Sequence, residues 1–202
     1  MSILFKSASS ILSNTISIPT HEENDFILAV AFGNSSTPSL PSGQNWTLRS
    51  SGSGVLTSYA IFWKFAQNSS ELFGTSNNAD GVLVNVYRGI DPIVPLGAGS
   101  SVYNPLFGSS NWEVPEINLQ VTDNSSWVFG FAYTESGSPT LNPVSGTIDR
   151  TTGTRIISVD TDSGVSSWNT QTSNLGSSFS VLSGSIELRE QKYTNLGMLT
   201  LM

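Results

Sequence analysis

Apolar residues recur at every second position along most of this chain. In "TSYAIFWKFA" (57–66), Tyr59, Ile61, Trp63 and Phe65 share one side, and Ala60, Phe62, Lys64 and Ala66 share the other, as alternate residues of a strand do. Neither side is polar enough to face open water, so both must be covered. One face fills a core between two sheets. The other, with Phe62 and Lys64 between small alanines, is covered either by a loop of the same chain or by a neighbouring subunit.

The same period appears in "NDFILAVAFG", where Phe26, Leu28, Val30 and Phe32 oppose Ile27, Ala29 and Ala31. It appears again in "GVLVNVYRG" and "SSWVFGFAYT", and strands are expected at "RIISVD" and "SFSVLSGSIELRE". "EINLQVTD" reads as a one-sided strand with Ile117, Leu119 and Val121 inward. Between these lie the turn-rich breaks "GNSSTPSLPSGQN", "QNSSELFGTSNNADG", "GAGSSVYNPLFGSSN" and "ESGSPTLNPVSGTIDRTTG", and no helical stripe interrupts them. The pattern predicts an all-β protein: a single antiparallel β-sandwich, jelly-roll-like, with little or no helix. Residues 1–10 are expected as an N-terminal segment, 11–190 as the sandwich, and 191–202 as an apolar strand or arm.

Composition agrees with strands. Ser and Thr fill 54 of 202 positions, against only 11 % charged residues, which suits strands and turns better than helices. A chain of this mass buries about 70 % of its unfolded surface on folding, so it needs no metal or disulfide to hold it. Without cysteine, thiolate metal sites and disulfides are excluded. A net charge of −7 without basic clusters argues against nucleic acid and anionic lipid as partners. No apolar run reaches the roughly 18 residues of a membrane helix. "MSILFKSASSILSNT" lacks the layout of a signal peptide, so synthesis in a cytoplasm is expected.

Chemistry-bearing groups are sparse. His21 is the single histidine and no G-x-S-x-G elbow accompanies it, so a Ser/His/Asp triad lacks its parts. It reads as a turn or surface residue. Glu113 with Glu116, or Asp149, Asp160 and Asp162, supply carboxylates of the kind glycosidases pair, but at spacings that chance also gives. "DTDSG" comes nearest to a cation loop, with Asp160 and Asp162 at i, i+2 before Gly164. It lacks the remaining ligands of a calcium loop, and a plain turn is the simpler account. Trp63 and Trp127 fall within strand patterns and read as core. Trp112 and Trp168 lie in polar, turn-rich segments and are the candidates for stacking on a sugar. No catalytic residue, metal or cofactor is assigned.

The order of five segments resembles a β-sandwich domain family of phage and prophage virion proteins and related bacterial surface proteins. They are "NDFILAVAFG" (24–33), "PSGQNWTL" (41–48), "SGSGVLTSYAIFWKFA" (51–66), "VLVNVYRGIDP" (82–92) and "FSVLSGSIELR" (179–189). Asn24 replaces the family's usual Gly, and Gln44-Asn45 is an insertion before Trp46. The resemblance implies a structural or adhesive module with no fixed activity. The expectation is therefore a non-enzymatic virion protein, foremost a capsid decoration or cement protein. It would bind the major capsid protein or other virion proteins as a homo-oligomer, with a trimer favoured. Phe62, Lys64, Leu196, Met198, Leu199 and Leu201 are the candidate partner contacts. A receptor- or glycan-binding module of a tail fibre or tail tip, using Trp112 or Trp168, is the alternative.

Overall fold

The computed structural model describes residues 1–54, 56–135, 137, 139, 141–153 and 155–192, without the side chains of 104–109 and 152. The first half of the chain forms one sheet from β1 (Leu4–Ile11), β2 (Phe26–Asn34), β3 (Thr47–Ser53), β4 (Thr57–Phe65) and β5 (Gly81–Arg88). The second half forms another from β6 (Leu96–Val114), β7 (Trp127–Thr134), β8 (Ile148–Thr152), β9 (Ile156–Asp160) and β10 (Gln171–Leu188). Their orders are β1-β5-β2-β4-β3 and β6-β10-β7-β9-β8, and every paired neighbour is antiparallel. The protein is an all-β sandwich. Each sheet belongs to one half of the chain, a simpler path than the exchange of strands between the sheets of a jelly roll.

The inner faces meet as the alternation requires. Phe26, Leu28, Val30 and Phe32 of β2, Ile61 of β4, and Leu83 and Tyr87 of β5 pack against Trp127, Phe129, Phe131 and Tyr133 of β7 and against Ile156, Leu182, Ile186 and Leu188. Phe32 stacks on Tyr133 with ring centroids 4.9 Å apart, an arrangement that adds to simple area burial.

Both outer faces are buried as well, and the chain covers them itself. Over the first sheet, Trp46 and Phe73, with Ile16, Ile18 and Ala79, close on Ile27, Ala29, Ala31, Ala60, Phe62, Val82, Val84 and Val86. Phe62 is 0 % exposed and Lys64 5 %. Of the two covers the sequence allowed, the loop of the same chain is the one present, and it leaves Phe62 and Lys64, the candidate partner contacts on this strand, buried beneath it.

Over the second sheet the cover is a folded ribbon. β10 pairs with β7 only from Val181 to Leu188, but it continues beside β6, through register shifts, to Gln171 opposite Val114. This distal part brings Trp112, Val114 and Leu175 onto Val128, Ala132, Ile157 and Val159, joined by Ile117, Leu141, Val144 and Trp168. A large apolar side chain at Gly130 would collide with it, because a Cβ there would stand 2.5 Å from Val114 Cγ2.

Three strands are not assigned by the sequence pattern. The N-terminal segment, which the sequence leaves open as a strand or an arm, supplies β1, an edge strand paired with β5 from Leu4 opposite Arg88 to Ile11 opposite Val82. β6 and β8 run through segments that read as breaks. Conversely, "EINLQVTD" directs Ile117 inward but makes only one bridge, Ile117 to Trp168. The amides of Gln120 and Val121 donate instead to the carboxylate of Glu187, at 2.9 and 3.0 Å.

Candidate functional site

The edge strand β3 begins at Thr47, which pairs with Trp63, so β4 extends beyond its neighbour at that end. The Ala66 amide donates to Asp25 O on the β2 side. In an antiparallel ladder successive residues bond to opposite sides, so the amide and carbonyl of Phe65 face away from β2. They face a cleft of about 400 Å³ between residues 43–47 and 67–72.

Trp63 and Phe65 form the aromatic part of its lining, with Gln44, Asn45, Thr47, Gln67, Asn68 and Ser70 around them. Both rings are only half-buried. They meet edge to face at 6.1 Å, and Trp63 leans on Phe26 at 5.9 Å. The four other tryptophans are buried.

The walls are held by hydrogen bonds that leave little freedom. Ser42 N donates to Thr75 O at 3.0 Å, and Trp46 Nε1 to Phe73 O at 2.9 Å. Gly74 has φ +87°, and a Cβ there would collide with the Ser42 carbonyl, so only glycine brings the two loops this close. In the second loop Ser70 N donates to Asn68 Oδ1 and Gln67 N to Glu71 Oε1. Glu71 N donates to His21 Nε2 at 3.2 Å, while His21 Nδ1 stands 2.7 Å from Pro19 O. With Nε2 accepting, the Pro19 contact places the ring proton on Nδ1.

Beneath the loop lies an ion pair. Lys64 Nζ donates to Glu71 Oε2 and sits 4.9 Å from the centre of the Trp46 ring. The side chains are only 5 % and 10 % exposed. Burial pushes the Glu71 carboxyl up, but the hydrogen bonds from Lys64 and the Gln67 amide, with the Lys64 charge, outweigh it and leave it below its ordinary value. The two charges cancel, so the cleft is polar without a strong field.

The residues singled out from sequence lie elsewhere. Trp112 is 0 % exposed and donates to Asn142 O; Trp168 is 8 % exposed and donates to Val114 O. Neither presents a free face to a sugar, because both rings are pinned over the second sheet by loops that only look exposed in sequence. Asp160 and Asp162 do converge, but on Arg150: its Nε and Nη2 reach Asp160 at 2.9 and 2.7 Å, and Nη2 also donates to Asp162. A guanidinium thus provides the counter-charge a cation would have supplied. Among the described residues no group of three or more His, Asp or Glu is arranged to hold a metal. His21, read from sequence as a turn or surface residue, lies in the segment leading to β2 and is buried. Leu196, Met198, Leu199 and Leu201 lie outside the described residues.

Sequence reasoning placed Trp63 in the core and passed over the cleft. One signal for it was present: the inserted Gln44-Asn45 forms part of its wall. Comparisons with protein-family models, curated proteins and solved structures give no match.

Proposed function

We propose that this protein is a non-enzymatic structural component of a phage particle, attached to the outer shell as a decoration or cement protein. The reading rests on where the five resembling segments fall. Four of them contribute β2 to β5 of one sheet, and the fifth supplies the inner part of β10 in the other. The resemblance therefore runs mainly through the strands, with 41–46 in the loop that leads into β3. The buried polar groups fit that role, since they tie layers together: Tyr87 and Arg150 meet at Asp160 between the sheets, and Glu187 anchors 120–121 to β10. A protein that binds the assembled shell and not its dissociated subunits stabilises it by mass action.

Gold-labelled antibody against the purified protein, applied to particles from the source lysate, tests the assignment by electron microscopy. Label spread over the heads supports it, label confined to tail tips replaces it with a receptor-binding role, and unlabelled particles overturn it. Deleting residues 193–202 is expected to weaken attachment to bare shells while the sandwich, whose ten strands lie within 4–188, keeps its melting temperature.

A further inference from the structure

We infer that the cleft beside Trp63 is a binding site for a neutral saccharide. This goes beyond shell attachment and does not depend on it. Three observations carry the inference together. First, Trp63 is the one half-exposed tryptophan in a protein that buries its other four, and it lines the cleft beside Phe65. Large apolar rings left in contact with water at a concave site offer a flat face for the C–H side of a sugar ring.

Second, the surrounding groups are those that bond hydroxyls: the amides of Gln44, Asn45, Gln67 and Asn68 and the hydroxyls of Thr47 and Ser70. Phe65 adds backbone groups on a side where β3 has already ended. Amides offer both donors and acceptors, which matches a polyol better than an anion. Lys64, the cation in the lining, is committed to Glu71 and to Leu72 O, so a phosphate or carboxylate finds no free positive charge there.

Third, the walls are fixed in advance by the links between 42–46 and 73–75 and by the turn at 67–71. A preformed site loses little binding energy to ordering. At about 400 Å³ it lies within the ~300–1,000 Å³ range of small-ligand sites and suits a short stretch of polysaccharide.

The test is an array of short neutral oligosaccharides of the gluco, manno, galacto and N-acetylhexosamine series, followed by titration of any binder. Binding is expected to shield Trp63 from acrylamide quenching and to weaken about tenfold or more in Trp63→Ala, a change of ~1.4 kcal/mol. Because Trp63 also packs on Phe26, Asn45→Arg provides the second variant: it fills the cleft from an exposed wall position and leaves the core intact. Loss of binding in Asn45→Arg, with an unchanged melting temperature, supports the site. A blank array, or binding that persists in Asn45→Arg, overturns it.

Discussion

Tyr87 and Asp160 join the two sheets by a hydrogen bond: the phenol of β5 donates to Asp160 Oδ2 of β9 at 3.0 Å, and both residues are fully buried. Asp160 also receives two N–H groups of Arg150, whose guanidinium lies 4.2 Å from the centre of the Phe5 ring. Residues of β5 and β8 thus meet at one carboxylate of β9, and β1 joins them through the Phe5–Arg150 contact. Burial, and then the Asp160 charge, push the Tyr87 phenol well above its ordinary value near 10.

Removing the phenol oxygen tests this link. Tyr87→Phe takes one hydrogen bond from a carboxylate that keeps Arg150, and is expected to cost about 1.5–3 kcal/mol. Asp160→Ala strips the buried Arg150 of its main partner and is expected to cost more, about 3–5 kcal/mol. A double-mutant cycle by chemical denaturation should show the two losses to be non-additive. The sign of the pH effect follows from the raised phenol. Its contribution is fully present below pH 10 and is lost as pH rises above that value, so wild type should lose stability there faster than Tyr87→Phe.

Glu187 makes a second prediction. Its Oε2 accepts from the amides of Ala98 and Gln120, and its Oε1 from the amide of Val121 and the hydroxyl of Ser126. All four partners donate. Glu187→Gln, in either amide orientation, turns an NH₂ toward donors inside the protein. An isosteric change is therefore expected to cost about 2–3 kcal/mol, with hydrogen-exchange protection of the Gln120 and Val121 amides falling first. Equal protection in variant and wild type would remove Glu187 as the anchor of this segment.

These polar links explain what was and was not legible in the sequence. β2, β4, β5, β7 and β9 were readable because side-chain alternation is local, and burial on both faces shows as apolar residues at odd and even positions alike. Whether Phe62 met a loop or a partner was not readable, because Trp46 and Phe73 reach it from segments distant along the chain. "GAGSSVYNPLFGSSN" reads as a break by composition, yet β10 recruits it into a ladder; pairing with a long partner overrides weak strand preference. Trp112 and Trp168 misled because polar neighbours mark a loop without saying whether its aromatic ring turns inward. Trp63 does pack on the inter-sheet core, as its face implies, but its partial exposure depends on where the neighbouring strand β3 begins, opposite it at Thr47.

The Lys64–Glu71 pair should make the covering loop acid-sensitive. Glu71 titrates below its ordinary value near 4.5, so the folded state holds the ionised form. Its stabilisation is complete above that ordinary value and is lost as pH falls through the lowered one. Limited proteolysis at 67–75 is expected to accelerate over that acid range in wild type. Lys64→Met leaves a buried carboxylate without its cation and should cost about 3–5 kcal/mol at neutral pH. Lys64→Met/Glu71→Leu is expected to recover part of that loss and to flatten the pH dependence of cleavage. If the single and double variants are cut with the same pH profile as wild type, the pair does not hold the loop.

The folded-over ribbon can be tested with a steric pair. Gly130 lies on β7 with Val114 against it, and a Cβ at 130 would stand 2.5 Å from Val114 Cγ2 and 3.0 Å from each of Val114 Cγ1 and Val159 Cγ2. Gly130→Ala therefore forces the β6–β10 ribbon away from the sheet, with an overpacking cost expected at about 1–3 kcal/mol. Val114→Ala alone opens a cavity and should cost a comparable amount. Together they exchange volume across one contact, one side chain gaining a carbon where its neighbour loses two. The double variant should consequently be more stable than the sum of the two losses predicts. Acrylamide quenching distinguishes a lifted ribbon from a strained but closed one. Trp112 is carried by the ribbon and is buried in the wild type, so Gly130→Ala should increase quenching and the double variant should reverse the increase. Strictly additive losses with unchanged quenching would mean that Val114 and Gly130 do not hold the ribbon against the sheet.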